Sequence, residues 1–277
     1  MGVARLLAII PHPDDESYSF GGTIALAARA GWRCVVHCAT NGELGERHDG
    51  VATAPETLGP ARAAELVASC RALGAERPLL WGLPDGGLAQ EPSQRERIVA
   101  VLRGIRPDLV LVLGADGAYG HPDHLAVYRW VRAAWETSVE PRPALLLAAF
   151  PRGLFLPQYG KCVVSGIMGD PPLVTPDDLG SNRAHYEVDV SAVRESKLAA
   201  IGSHRTQLAD GSPESMFPPG IVAALLGTER FIDACGARDE RTAALLAGLG
   251  AGDVSRVAGQ RTVRTSREFL DRPEGRP

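Results

Sequence analysis

The feature that most constrains this chain is a fourfold alternation of short apolar runs with amphipathic stretches over its first 137 residues. Residues 5–10, "RLLAII", are continuously apolar and too short for a stable helix, the mark of a strand buried on both faces. Residues 21–30 read as a helix closed by Gly31, and residues 32–39 as the next strand. A helix over 59–73 follows, with Pro60 near its first turn and Gly74 as its stop. Then come a strand over 78–83, a helix over 94–105, a strand over 108–113 and a helix over 125–137. Repeated strand–loop–helix units predict an α/β fold: a Rossmann-like, mainly parallel sheet flanked by helices and joined by right-handed crossovers.

Beyond residue 143 the pattern loosens. Residues 144–150 and 186–190 read as strands and 192–203 as a helix, while 215–234 and 239–249 look partly helical. Residues 152–183 are rich in Pro and Gly and are expected to form loops that shape a cleft. With no evident linker, the chain reads as one domain, 1–277: an α/β core over 1–150, a cleft-shaping and completing segment over 151–262, and a flexible charged tail over 263–277.

A net charge of −4 and a pI near 6.0 give no basic footprint for nucleic acid and no polybasic lure for a membrane surface. No apolar run approaches the ~20 residues of a membrane span, and "LLAII" is too short for a secretory signal. Five scattered Cys read as reduced, mostly buried thiols of a cytoplasmic protein, with Cys34 and Cys38 sharing one face of a strand. His37 reads as a core residue of that strand, and His48 and His185 as surface residues. Homo-oligomerisation is left open.

A Rossmann-like sheet that bound a dinucleotide would carry a Gly-rich phosphate loop after its first strand. This chain has "PHPDDE" there instead, and carboxylates repel a pyrophosphate. In such sheets ligands bind beyond the carboxyl ends of the strands. His12, Asp14 and Asp15 follow strand one, and "YGHPDH", with His121, Asp123 and His124, lies in the loop after strand four. Imidazole plus carboxylate is a first-row transition-metal ligand set, and two His and one Asp with an open position suit catalytic zinc. A cation would also neutralise the crowded carboxylates. Either stretch alone is also what a helix cap or a proline turn looks like. Together, each at a predicted strand end, they point to one metal site at the carboxyl edge of the sheet.

The pair "PHPDDE" and "HPDH" resembles the signatures of the LmbE-like (PIG-L) de-N-acetylases. "TNGELG", "RAAEL", "LPDGG" and "KLAAIGSHRTQ" follow in that family's order, so the likeness runs from about residue 9 to 207. The form with Tyr119 two before His121 is most like deacetylases of the mycothiol pathway and of antibiotic sugars. The resemblance implies a zinc-dependent hydrolase that removes an N-acetyl group from an N-acetylglucosaminyl substrate, a small glycoside or specialised metabolite. It implies one Zn2+ per chain, with Fe2+ or another divalent ion as the alternative. His12, Asp15 and His124 match its metal ligands and Asp14 its general base. His121 matches the acid or oxyanion-stabilising residue, to be cationic and oriented by Asp123, and Tyr119 a phenol reaching the oxyanion. Arg62 and Asp85 match sugar-binding residues. The alternative activity is a related amidase cleaving a larger acyl group or a thiol conjugate. Residues 151–183 match no assignable pattern, which leaves the aglycone open.

Overall fold

The structure, a computed structural model, describes residues 2–138 and 140–250. The tail expected over 263–277 lies outside the described residues. Among the described residues, β1(Arg5–Ile10), β2(Arg33–Thr40), β3(Leu79–Leu83), β4(Leu109–Val112), β5(Ala144–Ala148), β6(Tyr186–Asp189) and β7(Thr228–Asp233) form one sheet in the order β3-β2-β1-β4-β5-β7-β6. The first five strands are parallel, and β7 pairs antiparallel with both β5 and β6. The helices are α1(Asp15–Arg29), α2(Pro55–Ala72), α3(Arg95–Ile105), the single turn α4(Gly117–Gly120), α5(Pro122–Glu136), α6(Leu156–Val164), α7(Arg194–Ile201), α8(Ile221–Leu225) and α9(Glu240–Ala247). No helix among the described residues is long and apolar enough to cross a membrane.

Continuous apolar strands are what a sheet covered on both faces requires. Leu6, Ala8 and Ile10 pack on one face with Phe20 and Ile24 of α1, Leu66 of α2 and Ile201 of α7. Leu7 and Ile9 pack on the other with Ile98 and Leu102 of α3 and Val127, Trp130 and Val131 of α5. β1 lies between β2 and β4, so the chain leaves β1 toward one side of the sheet and β4 toward the other. The loops that follow these two strands therefore splay apart over a crevice, the place where doubly wound sheets bind ligands.

Three expectations need correction. Helix α1 begins at Asp15, not at Gly21: the glycine pair sits mid-helix because a Cβ on Gly22 would collide with the Val190 side chain. Helix α5 begins at Pro122, with proline in the first turn and His121 as its N-cap, so Asp123 and His124 belong to a helix start rather than to a loop. Residues 228–233, expected as part of a helical stretch, form strand β7. Its alternation was obscured because two of its inward positions carry Glu229 and Asp233, 4% and 2% exposed.

Glu229 is accommodated by partners from two helices. Its carboxylate accepts from Lys197 Nζ of α7 at 2.7 Å, and from the Gly22 N, Thr23 N and Thr23 Oγ1 groups of α1 at 2.6–2.8 Å. Removing one partner of a buried ion pair strands the other charge, at a cost of about 3–5 kcal/mol. Lys197→Met is therefore expected to lower the urea unfolding free energy by about that amount, measured by chemical denaturation. A loss below about 1 kcal/mol would mean that the pair contributes little.

Candidate active site

His12 follows β1 and lies 7% exposed among carboxylates. Its Nε2 is 3.1 Å from Asp85 Oδ1 and 3.2 Å from Asp123 Oδ2, and its Nδ1 is 3.6 Å from Asp15 Oδ2. Burial opposes a charged imidazole here, but hydrogen bonds to Asp123, Asp15 and Asp85 outweigh it and raise the His12 pKa. Asp15 is buried beneath His12, accepts from His12 N at 2.9 Å and from the Tyr18 hydroxyl, and lies 3.5 Å from His124 Nε2. Burial alone would raise its pKa, yet His124, His12 and Tyr18 together hold it well below the ordinary carboxylate range.

His124 is fully buried in the first turn of α5. Its Nδ1 is 3.0 Å from the Gly117 carbonyl, which can only accept, so Nδ1 carries the hydrogen. Nε2 then presents a lone pair, and it has no hydrogen-bond partner in the protein. Burial pushes the ring down to about 4 despite the adjacent Asp15, which keeps that lone pair unprotonated at neutral pH. A buried, bare imidazole nitrogen beside an ionised carboxylate is the donor arrangement a divalent cation satisfies. Donor atoms of His12, His121 and His124, and separately of His12, Asp85 and Asp123, also lie close enough together to hold a metal. The sequence reading placed His12 and His124 in such a site; these groupings add Asp85, Asp123 and His121 around them.

Asp14 stands at the junction between β1 and α1 with φ 130°, a conformation that L-residues rarely adopt. It is held at both ends. Its N–H donates to Glu16 Oε2 at 3.0 Å, and its Oδ2 accepts from Arg62 Nη2 at 3.0 Å. Burial pushes the carboxyl up to about 7, with Arg62 pulling the other way. Glu16 is itself buried and bonded to His204 Nε2 at 2.8 Å, so Glu16 braces the helix start, and His204 is buried behind it rather than at the cleft surface.

Arg62 is 4% exposed, and its guanidinium donates to the Pro13 and Gly42 carbonyls as well as to Asp14. Gly42, at φ 68°, presses directly on that guanidinium, and any Cβ there would collide with it. The expected open fork for sugar hydroxyls is thus largely occupied by the protein, although Arg62 still borders the cavity. Asp85, which follows β3, accepts from Leu44 N at 2.8 Å with one oxygen and faces His12 with the other.

His121 and Asp123 also differ from expectation. The Asp123 carboxylate faces away from His121: Oδ2 accepts from Gly86 N and lies against His12, and Oδ1 accepts from Leu88 N. What reaches His121 is the Asp123 backbone N–H, which donates to His121 Nδ1 at 3.2 Å. A backbone N–H can only donate, so Nδ1 is an acceptor and Nε2–H is the donor left free. Burial first, and then the neighbouring His124 and His12 rings, hold the ring pKa well below its ordinary value, so His121 is a neutral donor and not the cation expected. Tyr119 packs edge-on to His124 and His121, and burial followed by Asp15 raises its phenol pKa, keeping it a hydroxyl.

His12, Asp14, Tyr18, Arg62, Asp85, Tyr119 and His121 line one cavity of about 450 Å³, with Asp15, Asp123 and His124 buried around its base. Further lining comes from Leu44, Gly45, Glu46 and His48, from α6 and the turn after it, and from Met216 and Phe217. Of residues 152–183, Gln158, Lys161 and Cys162 line this cavity from α6, a helix where loops were expected. The sequence reading missed Tyr18; its spacing of three from Asp15 would have exposed it had α1 been started at Asp15. It also left His48 and His185 without partners, but His48 lies 3.3 Å from Glu46 at the cavity wall, and His185 Nδ1 accepts from Asp233 N.

A doubly wound sheet with an acid–imidazole cavity at its switch point places side chains that could hold a metal where such folds bind ligands. The match to the family of GlcNAc-PI de-N-acetylases (PIG-L) covers residues 7–135. The 1D-myo-inositol 2-acetamido-2-deoxy-alpha-D-glucopyranoside deacetylase of Saccharomonospora viridis is 32% identical, over 88% of this chain and 100% of its own. The protein of the same description from Rhodococcus jostii is 33% identical, over 88% of this chain and 96% of its own. In fold, the chain is similar to the N,N'-diacetylchitobiose deacetylase of Pyrococcus horikoshii, with a TM-score of 0.56, 23% identity and coverage of 83% of each chain. The chain belongs to the PIG-L family, and it is a deacetylase.

His124→Ala takes away the bare Nε2 and, with Nδ1, one hydrogen bond to the Gly117 carbonyl. His124→Ala is expected to lose bound divalent metal with little change in the far-ultraviolet circular dichroism. Elemental analysis after dialysis checks it; a full equivalent retained would take His124 out of the ligand set.

Proposed function

We propose that this deacetylase removes the acetyl group from the acetamido nitrogen of an N-acetylglucosaminyl glycoside, using a divalent metal, Zn2+ first, held by His12, Asp15 and His124. The observation that carries the reading is the bare, buried Nε2 of His124, 3.5 Å from the ionised Asp15, at the base of a cavity bordered by Asp14. The names of the homologous deacetylases support the amino sugar as substrate. Five free thiols suit a reducing, cytoplasmic setting.

Bound there, the metal would supply Lewis-acid polarisation of the acetamide carbonyl. The remaining work falls to side chains of the chain. Asp14, poised near neutrality, accepts a proton on its carboxylate from the attacking water and returns it to the departing nitrogen, releasing acetate and a free amine. Arg62 and Glu16 keep that carboxylate and its strained backbone in place. The His121 Nε2–H and the Tyr119 hydroxyl border the same cavity and supply neutral donors to the carbonyl oxygen as negative charge develops there.

A second reading, removal of a larger acyl group, is favoured by one observation: Leu44, Ile167, Met216 and Phe217 add apolar wall to this cavity. The ratio of kcat/KM for acetyl and longer acyl derivatives of one amino sugar separates the two, and the acetyl compound is expected to be preferred.

Incubating the metal-loaded protein with N-acetylglucosaminyl glycosides should release primary amine in step with acetate; no amine from any of them would end the proposal. Asp14→Asn should retain its metal and lose about 10²–10⁴-fold in kcat, the usual worth of general acid–base catalysis. Loss of metal in that variant would make Asp14 a ligand instead of the base.

A further inference from the structure

Two carboxylates from different parts of the chain meet one nitrogen of His12. Asp85 comes from the turn after β3 and Asp123 from the first turn of α5, and their oxygens lie 3.1 and 3.2 Å from His12 Nε2. Both are buried, Asp123 completely. Neither is free to turn away. Asp85 is tethered by Leu44 N, and Asp123 by Gly86 N and Leu88 N, one on each oxygen. With both Asp123 oxygens accepting from backbone N–H groups, the hydrogen between Asp123 and His12 belongs to the imidazole. In the neutral ring that a metal ligand requires, Nε2 is therefore the protonated nitrogen, and the lone pair is on Nδ1, the nitrogen that faces Asp15.

From this geometry we infer that Asp85 and Asp123 are positioning residues for the metal site, a carboxylate fork that fixes the tautomer and ring plane of His12 so that Nδ1 is the ligating atom. The inference rests on the metal reading above and departs from the expected roles of both residues, which were contact with sugar hydroxyls for Asp85 and orientation of His121 for Asp123. The same contacts occupy both carboxylates: Asp85 has one oxygen on His12 and the other on Leu44 N, and Asp123 has Oδ2 on His12 and Gly86 N and Oδ1 on Leu88 N. A carboxylate behind a ligating imidazole fixes its orientation and raises its basicity, and losing one typically costs about 10–100-fold in metal affinity.

Two experiments test the fork. The first is competition for Zn2+ against a chromophoric chelator. Asp85→Asn and Asp123→Asn should each weaken affinity by about 10–100-fold. If Asp85 instead holds the sugar, Asp85→Asn raises KM and leaves metal affinity as it was, and the inference fails for that residue. Unchanged affinity in both variants overturns it entirely. The second needs no variant. In Zn2+-loaded protein with 15N-labelled histidine, long-range 1H–15N correlation should show His12 protonated at Nε2 and metal-shifted at Nδ1. A metal-shifted Nε2 would overturn the fork even if the deacetylase reading stands. Absence of amine release with the His12 signature intact would count against the proposed substrate and not against the fork.

Discussion

The site depends on the parallel pairing of β1 with β4, in which Leu6, Leu7 and Ala8 stand opposite Leu109, Val110 and Leu111. That register brings two segments more than a hundred residues apart to the same end of the sheet. His12, Asp14 and Asp15 follow one strand, and His121, Asp123 and His124 follow the other. A slip of one residue would turn every side chain of the strand to the opposite face and move the following loop with it. The pairing is protected because both strands are buried on both faces, so no slipped register would leave their apolar side chains equally well packed.

Around that pairing the protein solves a charge problem. Asp14, Asp15, Asp85 and Asp123 crowd the carboxyl end of the sheet, and burial raises the cost of each charge. The solution divides the labour. Asp123 and Asp85 are satisfied by backbone N–H groups and His12, Asp15 by His12 and Tyr18, and Asp14 by the single guanidinium of Arg62. Each carboxylate has a different set of partners, so chemically identical side chains acquire different tasks. Asp15 is held well below the ordinary carboxylate range, while burial lifts the Asp14 carboxyl to about 7.

How much of this the sequence disclosed follows from which signals are local. Apolar runs and helix stops are local, so the five parallel strands and the convergence of the two motifs were readable. The start of α1 was misplaced because Gly21 and Gly22 look like a boundary, and their reason for being there, contact with Val190, comes from residues far along the chain. Strand β7 was hidden because Glu229 and Asp233 broke its apolar alternation, and a buried glutamate makes sense only once Lys197 and α1 are in place around it. The structure brings the named residues together around His12, but side-chain direction was beyond reach. Nothing in "HPDH" says that the Asp123 carboxylate turns to His12 while its backbone N–H serves His121.

The bond from Glu229 to the backbone of α1 also bears on how the chain could be divided. The family match ends at residue 135, which invites the view that the first half is a self-contained catalytic module and the rest an appendage. The contacts of α1 argue otherwise. The helix that begins at Asp15 depends, two turns on, on a carboxylate from β7 and packs against α7. A fragment cut after β5 would lose the strand that covers that edge of the sheet, exposing unpaired backbone to other chains. It would also lose the partners that anchor the helix that starts at Asp15 and is capped by Asp14. Trimmed variants or domain fusions built at the apparent motif boundary would be prone to aggregate, and the useful place to cut this protein lies beyond β7.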